Sequence, residues 1–207
     1  MTPQRPYTNK ITKEELKELP AIHYRGEIRV VDSEEQIDEA CAYLAAQPML
    51  GFDTETRPNF TKGNMYKVAL LQLSGEDRCY LFRLNMVALT RPILDLLENP
   101  DLPKVGLDVD GDLRALHRRH AFREAGFLDI QHLVREWGIE EMSLRKISAI
   151  VLGQRVSKAQ RLSNWESPAL TDKQQLYAAT DAWVCTEIYH HLMNTPKLRR
   201  GAAGQAE

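Results

Sequence analysis

The chain has 207 residues, 43% of them hydrophobic and 27% charged, a composition that suits one well-packed globular domain. No run of about 18 apolar residues occurs, so no membrane span is expected, and the opening Met1-Thr2-Pro3-Gln4-Arg5-Pro6 lacks the apolar core of a secretory signal. The net charge of -2 and pI ≈ 6.3 exclude a globally basic surface, so any contact with nucleic acid must come from local cations.

Residues 1–26 read as an N-terminal arm. It carries a short charged helix over 12–19, with Thr12 and Glu15 at capping-box spacing and Pro20 as the stop. Residues 28–31 read as a strand. Asp32 or Ser33 then caps a helix with Ile37, Ala40, Cys41 and Leu44 at helical spacing, which ends before Gln47 and Pro48. The next stretch, Met49-Leu50-Gly51-Phe52, reads as the end of a buried strand, and two carboxylates follow it, Asp53 and Glu55. Strand residues i and i+2 share a face. Both acids therefore emerge together at the C-terminal end of a core strand, where open α/β sheets tend to bind ligands. Anions held that close predict a raised pKa or a bound cation. On these residues alone, acids that simply leave the core as the strand enters a loop are an equal reading.

Strands at 67–73 and 79–82 flank Gly75-Glu76-Asp77, a hairpin-type turn. A hairpin beside strand–helix units predicts a mixed sheet. A helix is expected over about 86–97, then a loop through Pro100 and Pro103, then a short strand at 104–107. The following helix opens near Asp110-Gly111-Asp112 and runs to about His120. Asp112 falls in its first turn, where an acid also complements the helix dipole. Another element begins at 128–130, and helices are expected at 130–137, 142–152 and 172–193. In the last of these, Tyr177 and Asp181 share a face four residues apart, and Ala178, Ala179 and Ala182 permit close approach to a sheet. The tail, 194–207, is polar and rich in Gly and Ala, and is expected to be disordered.

Other motif readings fail. Asp108 to Asp112 looks like the start of a calcium loop, but the sixth and twelfth positions of that loop would be Leu113 and Arg119 instead of Gly and Glu. Neither a Walker sequence nor Gly-x-Gly-x-x-Gly is present. His117 and His120 lie among arginines on what reads as a solvated face, and His190-His191 reads as surface. Cys41, Cys79 and Cys185 form neither a zinc spacing nor a disulfide framework, which suits a reducing, cytoplasmic location.

Taken in order, Asp53 with Glu55, Asp112, and Tyr177 with Asp181 resemble the three exonuclease motifs of the DEDD superfamily. The Tyr four residues before the last Asp matches its DEDDy branch. Lys104-Val105-Gly106-Leu107-Asp108-Val109-Asp110-Gly111-Asp112 is similar to the second motif of the Werner-syndrome-type exonuclease domain. Ser143-Leu144, Val151-Leu152-Gly153, Lys158, Arg161-Leu162-Ser163-Asn164-Trp165, Leu170-Thr171 and Tyr177-Ala178-Ala179-Thr180-Asp181-Ala182 resemble that family's third-motif region. An exonuclease domain over 27–193 follows from the extent of the resemblance.

The resemblance implies a single α/β domain of RNase H-like fold, a mixed central sheet flanked by helices. It also implies a 3′–5′ exonuclease that uses two divalent metal ions, Mg²⁺ or Mn²⁺. The expected substrate is single-stranded or 3′-ended DNA and/or RNA, with DNA slightly preferred because the second-motif flanks look Werner-like. Asp53 is assigned to both ions, Glu55 and Asp181 to the ion that binds the attacking water, and Asp112 to the second. Tyr177 would orient the nucleophile and the scissile phosphate. Thr54, Thr56 and Arg57 are candidates for the 3′-terminal nucleotide, and Lys158 and Arg161 match the family's basic positions. Arg114, Arg118, Arg119 and Arg123 form either a phosphate-tracking face or a solvated one. Trp165 is expected to pack its own turn rather than stack a base. Arg114 stands where some relatives carry an aromatic, so base stacking is not expected from the resemblance at that position. A catalytically silent nucleic-acid-binding module and an RNA-processing exoribonuclease are the alternatives.

Overall fold

The computed structural model describes residues 6–59 and 66–198. Among the described residues six strands form one sheet: β1 (Glu27–Val31), β2 (Leu50–Thr56), β3 (Val68–Ser74), β4 (Arg78–Arg83), β5 (Lys104–Gly106) and β6 (Phe127–Asp129). Their spatial order is β1-β4-β3-β2-β5-β6. β3 runs antiparallel to β2 and β4, and every other pairing is parallel. The sheet is mixed, as the hairpin at Gly75 predicts. β3 is buried along its whole length, which is why its sequence is nearly continuous in apolar residues instead of alternating.

Helices cover both faces: α1 (Lys13–Glu18), α2 (Ile37–Ala45), α3 (Arg91–Glu98), α4 (Val109–His117), α5 (Ile130–Leu133), α6 (Leu144–Leu152) and α7 (Asp172–Met193). Phe52, Leu71, Leu73, Tyr80 and Phe82 face α2, α3 and α4 through Leu44, Ile93, Leu97 and Leu116. On the other face, Leu70, Cys79 and Leu81 pack with Trp165, Ala178 and Ala179. α7 comes very close to β2: a Cβ on Gly51 would lie 2.2 Å from the Ala182 carbonyl oxygen.

Local chemistry moves some expected boundaries. The helix expected from residue 86 starts at Arg91, because Thr90 occupies the cap position and Pro92 falls in the first turn, where its missing N–H is not needed. The helix expected over 130–137 is α5 followed by a 3₁₀ turn, Val134–Trp137. α4 ends at His117, short of the expected His120.

The N-terminal arm packs on the domain. Ile22 N donates to Arg155 O at 3.0 Å, Arg155 N to Pro20 O at 2.9 Å and Glu140 N to Asn9 O at 2.9 Å. Part of the segment expected to be a loose tail is held as well. Trp137 Nε1 donates to Thr195 O at 2.8 Å, and Leu198 N donates to Glu136 O at 3.0 Å. The rest of that segment, 199–207, lies outside the described residues.

Two buried cations brace the frame. Lys104 Nζ donates to Leu96 O at 2.9 Å and Asn99 O at 2.7 Å, which satisfies carbonyls at the end of α3. Burial lowers its pKa to about 8. Arg83, only 1% exposed, donates to Pro168 O at 2.7 Å and to Ser167 O. It thereby ties β4 to the loop that precedes α7.

Candidate active site

Strand alternation decides which side chains of β2 meet α7. Gly51 lies directly under the helix, so Asp53 and Glu55, two and four residues on, point to the same side. Asp181 comes down from α7, 8% exposed. Carboxylate oxygens of Asp53, Glu55 and Asp181 lie within 4.8 Å of one another.

Electrostatics follow from that convergence. Burial, and then the charge of Asp181, raises the Asp53 pKa well above the usual carboxylate range. Glu55 is pushed up to about 10 by burial and by the charges of Asp53, Asp181 and Asp112, and Arg161 opposes the rise. Burial raises Asp181 to about 7 against the influence of the Tyr177 hydroxyl. Tyr177 itself is pushed up by burial and by the charges of Asp181, Glu55 and Asp53, so its phenol stays protonated.

Asp112 reaches the cluster by another route. Asp108 adopts a left-handed conformation, φ 57 and ψ 42, and caps α4. Asp is among the few non-glycine residues that tolerate this conformation. The Asp108 carbonyl accepts Gly111 N at 2.9 Å and Asp112 N at 3.3 Å. A Cβ on Gly111 would stand 3.0 Å from the Asp108 carboxylate, so glycine suits the turn. From the end of β6, Asp129 Oδ2 accepts Val109 N at 2.9 Å and fixes the helix start. Asp112 then accepts the Thr54 hydroxyl at 2.6 Å. It stands outside the group of three, yet it feels them: burial and then the Asp53 charge raise its pKa to about 8.

Four carboxyls that all resist ionisation make a site that wants positive charge. Their oxygens are hard donors, the type that Mg²⁺ and Mn²⁺ take. The donor set fits a divalent cation at Asp53, Glu55 and Asp181.

The remaining candidates divide. Arg161 is exposed yet close enough to oppose the rise of Glu55. Lys158 is exposed and has no described bond to the acids; its carbonyl accepts Arg161 N at 3.3 Å. Thr54 has its hydroxyl engaged by Asp112. Thr56 follows a register shift in the β2–β3 ladder and is half-buried. Arg57 pairs with Glu166 at 3.3 Å and lies over the Tyr66 ring at 4.9 Å. Arg119 does not belong to a solvated or phosphate-tracking face: it is half-buried, and its Nε donates to Val68 O. Trp165 is fully buried, 6.0 Å from the Tyr177 ring, and packs as expected.

One residue at the site escapes sequence reasoning. Gln72 pairs with Asp53 across the ladder, and its Nε2 lies 3.5 Å from Asp53 Oδ2. The available signal was a long polar side chain inside an otherwise apolar buried strand.

A family model described as 3′-5′ exonuclease matches residues 28–196. The mouse bifunctional 3′-5′ exonuclease/ATP-dependent helicase WRN is 33% identical over 190 residues, which cover 85% of this chain and 13% of that protein. The chain thus spans about an eighth of the length of that relative. Among solved structures, the Aedes aegypti Nibbler EXO domain superposes with a TM-score of 0.75 at 24% identity, covering 84% of this chain and 92% of that one. Escherichia coli RNase D, an exoribonuclease involved in structured RNA processing, gives 0.73 at 21% identity over 81% of this chain and 44% of that one. These two share the six-stranded RNase H-like architecture described above. The convergent acids and the matched span lead to one conclusion: the chain belongs to the 3′–5′ exonuclease family.

Proposed function

We propose that the protein removes nucleotides from the 3′ end of single-stranded or 3′-ended nucleic acid in a reaction that needs Mg²⁺ or Mn²⁺, with DNA preferred. The observation that carries this is the meeting of Asp53, Glu55 and Asp181 within 4.8 Å, with Asp112 fastened beside them through Thr54. A pair of bound divalent ions would supply an activated water and relief of charge at phosphorus.

The protein's own residues hold and orient. Asp53 is flanked by both partners and is electrostatically linked to Asp112, which suits a ligand shared between two ions. Glu55 and Asp181 would complete one ion site, and Asp112 would serve the other. Burial and the neighbouring acids favour the protonated phenol of Tyr177, which suits orienting the attacking water and the scissile phosphate by hydrogen bonding. Arg161 brings a guanidinium toward Glu55 and is the candidate for the phosphate of the 3′-terminal nucleotide. The preference for DNA rests on the Werner-like second-motif flanks. The likeness to RNase D favours RNA as the second reading.

The test uses one sequence made as DNA and as RNA, labelled at either end, with Mg²⁺, Mn²⁺ or EDTA. Shortening from the 3′ end that EDTA stops and Asp53→Ala abolishes is the expected result. Digestion that survives Asp53→Ala overturns the site. Faster digestion of the RNA strand transfers the substrate preference to the second reading.

A further inference from the structure

Gln72 is fully buried in the middle of β3. Its neighbours along the strand are Leu71 and Leu73, and among the described residues its Oε1 has no hydrogen-bond partner. An orphaned buried amide oxygen is destabilising, and an apolar side chain of similar size would avoid that cost. The amide's other end explains why it is there. Its Nε2 faces Asp53 Oδ2 at 3.5 Å, from the position directly opposite in the ladder. Once a divalent cation holds Asp53 ionised, its carboxylate can only accept hydrogen bonds. The amide must therefore turn its nitrogen toward Asp53, and that choice strands its oxygen in the interior. The distance is long for a charge-assisted bond, which settles at about 2.7–2.9 Å. Contacts of this kind are often long without substrate and tighten in the working complex.

We propose that Gln72 is a positioning residue: its amide fixes the orientation of the Asp53 carboxylate and leaves the other oxygen free for the cation. The inference rests on the reading of Asp53 as a cation ligand. It assigns the stability cost of the buried amide to function, since groups that orient metal ligands typically change metal affinity or activity 10–100-fold when removed.

The experiment compares wild type with Gln72→Met, an apolar side chain of similar length, by thermal melting, by calorimetric titration with Mn²⁺, and by kcat and KM on a labelled strand. Melting at or above the wild-type temperature is expected, with Mn²⁺ bound about 10–100-fold more weakly. kcat should fall while KM for the strand holds. A folded Gln72→Met with wild-type Mn²⁺ affinity and kcat overturns the proposal. Gln72→Leu carries the same readouts where methionine is not accommodated. Failure of both apolar variants to fold assigns the amide to the core and also overturns it. Wild type that neither binds Mn²⁺ nor digests would instead sink the exonuclease reading, so the two failures are told apart.

Discussion

Replacing Asp181 by asparagine should stabilise the metal-free protein at neutral and alkaline pH while abolishing digestion. In the folded chain the Asp181 carboxyl titrates at about 7 instead of the ordinary 3.8, chiefly because it is buried. Between those values the folded state keeps a proton that the unfolded chain has released. Stability is therefore greatest in acid, declines from about pH 4, and has lost the full contribution above about pH 7. Three pH units amount to about 4 kcal/mol, of which about 2–3 kcal/mol disappears between pH 5 and pH 8. For a domain of this size that corresponds to about 5–10 °C in melting temperature. Asparagine has the same shape and nothing to ionise. Melting curves in EDTA at pH 5, 6, 7 and 8 should show wild type falling away from Asp181→Asn as pH rises. Glu55, raised to about 10, and Asp112, raised to about 8, remain in both proteins, so the gap between the curves reports Asp181 and its hold on Asp53 and Glu55. Parallel curves across this range would refute the reasoning.

Divalent cations should act in the opposite sense. Mn²⁺ or Mg²⁺ at about 100 times its dissociation constant adds about 2.7 kcal/mol, and scanning calorimetry should show a larger gain at pH 8 than at pH 5, where protons occupy the carboxyls; equal gains would count against ligation by these acids. Thr54→Val keeps the side-chain shape but removes the hydroxyl that Asp112 accepts at 2.6 Å; single-turnover digestion should slow about 10–100-fold with little change in melting. Arg83→Met strands the carbonyls of Ser167 and Pro168 and should cost about 2–4 kcal/mol in a urea titration; a loss below about 0.5 kcal/mol would mean that water replaces the guanidinium.

The parts of the site that lie on one element were legible in the sequence. A period of two puts Asp53 and Glu55 together, and a helical turn puts Tyr177 and Asp181 together, whatever the rest of the chain does. The mixed sheet followed from the Gly75 turn in the same local way. Strand order did not, because it depends on pairings between distant segments such as β1 with β4. The Thr54–Asp112 bond is illegible for the same reason: the two residues belong to different elements whose approach is set by the left-handed Asp108 and the Asp129 cap. Gln72 stood out as a lone amide in an apolar run, but its partner did not, since the ladder that sets it opposite Asp53 joins two separate segments. Arg119 misled because a run of arginines at the end of a surface helix looks alike whether or not one of its side chains folds back onto β3.

Gly51 has a consequence for how this catalyst tolerates change. The gap between β2 and α7 is closed by a bare hydrogen, since any carbon there would meet the backbone of Ala182 at 2.2 Å. Asp181 is the preceding residue of that helix, so a single methyl group beneath it would lever one jaw of the vice away from the other. The spacing on which ion capture depends is thus machined by a residue that takes no part in the chemistry, and drift at that position would disturb packing and ion capture together.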